Sequence, residues 1–382
     1  KIACHADGNL FIVGCVSGQG NEDEDHSIIG DMSAGNVVRF LTNTFDEIHR
    51  VDLDPFETIT SLVSCRLVNR ATNTTSSDSS ASMYTSHSGS RPYIIVGTAY
   101  AIPNEDEPSM GRLLVFETTN LVTNRSNDGG EMDSGGGTLN TTVRQITQLV
   151  TRGAVYSICP FLDGSILATV NSRTNLYHLH DVDNVYELQA DRAYHHGHVL
   201  SLCVKSLDNT AIVGDLMRSV SVLDYVQADG TNTLREVSRD FNPNFTTAIE
   251  ILSPHVFLGS ETFNNIFSLQ RNVNAATEEG RCRLENKGEY YLGEMVNKFV
   301  RGSLVGDNTN SSMDIASVVL GSRTLYATVD GSIGSVLGMD RATFVFFNTL
   351  QHSIVHTIPA VGGLDHGHFR SFKAERRSHP CR

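Results

Sequence analysis

The chain has 382 residues, 40% of them hydrophobic, with seven cysteines, no tryptophan and a formal net charge of −14. That length can bury a large core, but no apolar run approaches the roughly 18 residues that a membrane-spanning helix needs. So acidic a surface repels phosphate on average, which disfavours direct binding to duplex DNA by counterion displacement.

Residues 1–16 read as strand, turn (HADGN) and strand, with charge inside any apolar core that a secretory signal would require. The chain opens on Lys1 and not on Met, so it reads as a piece of a longer one. Residues 17–35 form a loop between the strands LFIVGC and NVVRFL. The strands ITSLVSCRL, PYIIVGTAY and GRLLVFET follow, interrupted by residues 69–91 and 120–142. Those two stretches of Ser, Thr, Asn and Gly lack the apolar content to offset their ordering entropy. Strong strands flank them, so they are expected as long loops within one sheet.

From residue 154 a unit recurs. Residues 154–181, 199–226 and 247–270 each hold an apolar strand, a polar turn, a strand ending in a small residue, a tight turn and a third strand. The copies begin about 45 residues apart, the length of a four-stranded propeller blade and too long for a leucine-rich or ankyrin repeat. The expected fold is therefore all-β, a β-propeller of WD40-like blades, seven of them when complete. Val, Ile, Leu, Phe and Thr dominate the strands. Gly164, Gly259, Gly331 and Gly334 fall at turns or close sheet approaches. Helix signals are nearly absent, and only residues 369–377 (FRSFKAERR) are expected to begin one.

Catalytic patterns are missing. The segments His195-His196-Gly197-His198 and His366-Gly367-His368 have no Cys or carboxylate at zinc-site spacing. They are expected as rim-loop histidines, with no metal and no cofactor. Gly135–Gly137 lacks the strand before it and the helix after it that a phosphate loop needs, and there is no G-x-S-x-G elbow. Asp163, Asp215 and Asp330 recur near turns, where capping explains them better than acid–base chemistry. Cys15, Cys65, Cys159 and Cys203 sit in apolar strands and read as reduced core residues, which suits the nucleus or cytosol. The chain is read as a non-enzyme.

A series of motifs then becomes specific. Tyr93-IIVGTAY, Pro103-NEDEP, Gly111-RLLVFE, Gly153-AVYSI, Val213-GDLMRSV, Arg239-DFNPNF, Phe257-LGSE, Leu292-GEMVN and Arg370-SF together resemble, in order and spacing, the large subunits of damaged-DNA-binding protein. These are the adaptors of cullin-4 ubiquitin ligases. The wider family includes the large subunit of the cleavage and polyadenylation specificity factor and a subunit of splicing factor 3b. GDLMRSV combined with RDFNPNF favours the ligase adaptors.

The resemblance implies a protein of three propellers and a small C-terminal helical domain. Residues 1–368 would form most of the third propeller and residues 369–382 the truncated start of the helical domain. It implies a nuclear and also cytoplasmic scaffold in protein ubiquitination and DNA repair, with no membrane association. Its partners would be the ligase's substrate receptors, both WD40-type receptors and the small damaged-DNA-binding subunit. DNA would be reached through them, and cullin-4 through a propeller that this chain does not include. The receptor groove would draw Ala99 and Asp106 from GTAY…EDEP, then Ala154, and His198, Leu200, Leu202 and Cys203 from HVLSLC. Arg218, Arg239, Phe245, Met295, Asn297, Lys298 and Val329 complete the set. Apolar anchors with a few register-fixing polar groups are what a docked helix requires. Relatives of this kind carry Trp at Phe245, Tyr at Cys203 and Met at Leu200, and a small residue at Asp106, so this pocket is expected to be less aromatic. The alternative is an RNA-processing subunit that binds protein and nucleic acid.

Overall fold

The computed structural model describes residues 1–5, 7, 9–16, 35–68, 70–71, 90–123, 138–182, 185–228, 231–302, 304 and 323–373. They form two compact units, residues 1–196 with 227–233, and residues 197–226 with 234–382. Among the described residues, six mainly antiparallel sheets of propeller-blade type run in chain order, so the fold is an all-β propeller fold. The seven blades expected of a complete propeller compare with these six among the described residues.

In the first unit, β1 (Ile2–His5), β2 (Leu10–Cys15), β3 (Val37–Thr42) and β4 (Glu47–Asp52) make one meander. The next contains β5 (Glu57–Val68), β7 (Ser90–Tyr100), β8 (Gly111–Thr123) and β9 (Thr138–Thr151), with the short β6 (Arg70–Ala71) outside it. A third contains β10 (Val155–Phe161), β11 (Ser165–Val170), β12 (Arg173–Val182) and β13 (Val185–His196), and β6 pairs with β12 in parallel. The strands flanking the polar stretches do belong to one sheet, β5 pairing with β7 and β8 with β9. Most of those stretches, like residues 17–34, lies outside the described residues.

The near-continuous apolar strands have a direct cause. Successive side chains of a strand point to opposite faces. In β7, Tyr93 and Ile95 pack into a core with Ile166, Ala168 and Leu179 of the third sheet. Ile94 and Val96 join Ile12, Val38 and Phe40 of the first sheet. A sheet covered on both faces needs apolar residues at every position.

In the second unit, β14 (Ser201–Leu207), β15 (Thr210–Asp215), β16 (Val220–Ala228) and β17 (Thr231–Arg239) form a sheet. The next comprises β18 (Thr246–Ser253), β19 (Val256–Glu261), β20 (Asn265–Arg271) and β21 (Leu284–Tyr291). The last has β22 (Val296–Arg301), β23 (Arg323–Thr328) and β24 (Ile333–Leu337). These also stack face to face: Ile212 and Val222 meet Ile249, Phe257 and Phe267, while Ala248 and Leu258 meet Val296 and Phe299. Gly259 is required here, because a Cβ on it would lie 2.3 Å from the Phe267 ring. The three repeats coincide with β10–β12, β14–β16 and β18–β20.

The helices correct one expectation. A short α1 (Glu278–Cys282) precedes β21, and the chain turns helical well before residue 369, at α2 (Arg341–Thr357), followed by α3 (His366–Arg370). Asp340 caps α2 by accepting the Thr343 N–H at 2.7 Å. His366 and His368 thus lie on a helix and not in a rim loop, and residues two apart on a helix do not share a face. The C-terminal segment is anchored to β21: Arg370 Nη1 donates to the Tyr291 carbonyl at 3.0 Å, and the rings of Phe369 and Phe372 meet Tyr291 edge-on. No described helix is long and apolar enough to cross a membrane.

Candidate functional site

In the second unit, the expected contact residues gather at one end of each sheet, where first strands begin and second strands finish. Leu200 directly precedes β14, Phe245 precedes β18 and Met295 precedes β22. The recurring blade geometry therefore offers one half-buried apolar side chain at the same position in three sheets.

Asp215, the last residue of β15, organises the first of these ends. Its carboxylate is 1% exposed. One oxygen accepts the N–H groups of Val199 and Leu200 at 2.7 and 3.1 Å, and the other those of Met217 and Arg218, both at 2.8 Å. A buried carboxylate surrounded by backbone donors is satisfied without a cation. The turn carrying Leu200 and the turn carrying Arg218 are thereby tied to one side chain. The Arg218 guanidinium closes the arrangement by donating to the Gly197 carbonyl.

Leu202 and Cys203 follow on β14, half-buried, whereas His198 is buried. Cys203 lies against Gly214 of β15, where a Cβ would come within 2.5 Å of its sulfur. Burial pushes the Cys203 thiol up to about 12, which disfavours the reactive thiolate at neutral pH.

The RDFNPNF loop connects β17 to β18. Asp240 is its staple, accepting from Ser219 Oγ at 2.7 Å, from the Asn242 N–H at 3.1 Å and from Asn242 Nδ2 at 2.9 Å. Burial raises the Asp240 carboxyl above its ordinary range against these hydrogen bonds. Burial also raises the nearby Glu236 carboxyl, opposed by Ser221 and Arg218. Arg239 stands at the loop's start with Glu236 at 3.8 Å. Phe245 ends it, 6.1 Å between ring centroids from Phe263. In the last sheet, the Val329 N–H donates to the Met295 carbonyl at 2.9 Å, which pairs those two residues. Val329 is 57% exposed, and Asn297 and Lys298 are exposed on β22.

The first unit holds the remaining three. Ala99 and Ala154 are buried, so they support a surface instead of forming one. Ala99 sits between Thr98 and Tyr100, both engaged in a polar cluster: Thr98 Oγ1 donates to Glu57 at 2.5 Å, and the Tyr100 hydroxyl to Asp54 at 2.6 Å. Arg112 Nε donates to the buried Glu57 at 2.8 Å. Burial, then the hydrogen bond to Asp54, raises the Tyr100 hydroxyl. The Ala154 N–H donates to Asn171 Oδ1 at 2.7 Å. Asp106 is exposed in the loop after β7.

The second-unit set offers apolar side chains, arginines and amides, while its acids are occupied by the loops they hold. Apolar side chains and arginines are residue types enriched in protein interfaces. Motif reading missed Phe241 and Arg283. Phe241 is exposed inside RDFNPNF, and Arg283 reaches it from α1's C-terminal end, 42 residues further along by their numbers.

The family model for the CPSF A subunit region matches residues 36–382. The chain is 34% identical over 380 residues to DNA damage-binding protein 1b of Arabidopsis thaliana, covering 98% of this chain and 30% of that relative. It is 35% identical over 353 residues to DNA damage-binding protein 1 of Oryza sativa subsp. japonica, covering 92% of this chain and 28% of the relative. Against DNA damage-binding protein 1 of Solanum lycopersicum it is 35% identical over 347 residues, 90% of this chain and 27% of the relative. The chain thus spans under a third of the length of these relatives. With nine-tenths of its length matched and its sheets laid out as propeller blades, the chain belongs to the CPSF A subunit family.

Proposed function

We propose that this chain is a non-enzymatic docking scaffold that serves a cullin-4 ubiquitin ligase by holding substrate receptors, in the nucleus and in support of DNA repair. The observation that carries the reading is the recurrence of a half-buried apolar side chain, Leu200, Phe245 and Met295, before the first strand of three sheets, with Arg218 in the turn after β15 and Arg239 at the end of β17. Apolar anchors surrounded by hydrogen-bonding groups suit a helix laid into a groove.

The name of the relatives refers to DNA. With a net charge of −14, contact with DNA through a bound receptor is the better reading for this chain, since phosphate binding requires clustered cations.

The test is affinity purification of the full-length protein followed by mass spectrometry. The docking reading predicts cullin-4 and WD40-type receptors in stoichiometric yield. Cleavage, polyadenylation or splicing factors in their place would assign the chain to the RNA-processing branch.

A further inference from the structure

Phe241 is an aromatic residue that the loop holds away from the core, 51% exposed in the RDFNPNF segment. Two guanidinium groups attend it. Arg239 lies 4.7 Å from the ring centroid and Arg283 5.9 Å. An isolated parallel bridge between Arg239 and Arg283 brings the two backbones together. The loop cannot easily withdraw the ring, because Asp240 ties it to Ser219, Asn242 and Asn244, and the Asp240 N–H donates to the Val220 carbonyl at 2.9 Å.

A guanidinium resting on a ring uses its face, and its N–H donors lie in its plane, suited to a carboxylate. Among the described residues, Arg239 is paired with Glu236, and at 3.8 Å that carboxylate is too distant for a charge-assisted hydrogen bond, while the neighbouring Asp240, which also feels Arg283, is held by hydrogen bonds within the loop. Arg283 is exposed. The patch is thus an apolar platform with two cations on it, in a chain whose net charge is −14. A base could also stack on such a ring, but the polyanion that carries it would meet the repulsion of the whole molecule. A short acidic peptide with an apolar side chain pairs with the local charge and brings few charges of its own.

We propose that Phe241, Arg239 and Arg283 form a recognition platform for a partner-protein segment in which carboxylates flank an apolar or aromatic side chain. This rests on the docking reading, and names the chemistry of the partner at one edge of that surface. The ring takes the apolar side chain and the arginines take the carboxylates.

The experiment uses the full-length protein, with phage-displayed short random peptides and oligothymidylate as probes. Selection should enrich Asp and Glu beside Leu or Phe. A synthetic peptide of the selected sequence should bind about tenfold more weakly or worse to Phe241→Ala and to Arg283→Glu. It should also weaken as salt rises. Arg283→Glu is the guard against misfolding, since its side chain is exposed, and circular dichroism verifies both variants. Selection without acidic enrichment, binding indifferent to both variants, or tighter Phe241-dependent binding of oligothymidylate would each overturn the proposal. The two readings fail separately. If Phe241→Ala binds the peptide normally but Phe245→Asp loses receptors, the platform is wrong and docking stands. If Phe245→Asp keeps every receptor while Phe241→Ala loses the peptide, docking is wrong and the platform stands.

Discussion

The carboxylate of Asp215 accepts the backbone N–H of Arg218 at 2.8 Å. Its other oxygen holds the N–H groups of Val199 and Leu200, so one buried acid sets two turns of the proposed surface. Asp215→Ala removes the acceptor of four part-buried N–H donors and should cost about 1–3 kcal/mol. Urea unfolding of the full-length protein measures this. Receptor binding should also weaken under conditions where the variant remains folded, because Leu200 and Arg218 lose their common support.

Gly214 faces Cys203 with no room for a methyl group, the added Cβ meeting the sulfur at 2.5 Å and a Thr246 methyl at 2.9 Å. Gly214→Ala should destabilise by about 1–3 kcal/mol through overpacking. Cys203→Ala in the same chain should restore part of that loss, and a double-mutant cycle should show coupling between the two sites.

The cysteines should separate by reactivity. Burial pushes the thiols of Cys65 and Cys203 up to about 12, whereas Cys4 and Cys282 are exposed. Iodoacetamide applied to the native protein, followed by mass spectrometry, should label Cys4 and Cys282 and spare Cys65 and Cys203 until denaturant is added.

Asp191 makes stability depend on pH. Burial alone would raise its carboxyl, but hydrogen bonds from His178, the Ala193 N–H and Asn232 outweigh it and hold the group below its ordinary 3.8. Folding therefore favours the ionised form. That stabilisation is present above the unfolded value near 3.8 and is lost as pH falls through the lower folded value. Asp191→Asn should be less stable than the parent at about pH 7, and the gap should narrow in acid. Denaturant titrations across that range test the sign.

Much of the architecture is legible in the residues because it is local. The strands of 154–181, 199–226 and 247–270 carry their turns with them, so the blade repeat and its pairings follow from spacing. The helix α2 is not legible in the same way. Its sequence RATFVFFNTLQHSIVHT is dense in Thr, Val, Phe and Ile, which favour strands. The cap at Asp340 is a single-residue signal that such a composition hides. Among the candidate site residues, Leu200, Phe245 and Met295 follow from the family resemblance of their motifs, and Asp215 reads as a turn residue. The burial of Ala99 and Ala154 depends on tertiary packing. The meeting of Phe241 with Arg283 depends on the bridge between Arg239 and Arg283, a pairing that no periodicity encodes.

The central claim is that the ends of these sheets hold substrate receptors, and one co-purification from cells tests it most directly. Full-length protein carrying Leu200→Asp or Phe245→Asp is compared with the parent, with cullin-4 recovery as the internal control for folding. A charge placed on an apolar anchor should lower receptor recovery by about tenfold or more while cullin-4 recovery is unchanged. Undiminished recovery of every receptor by both variants would contradict the account.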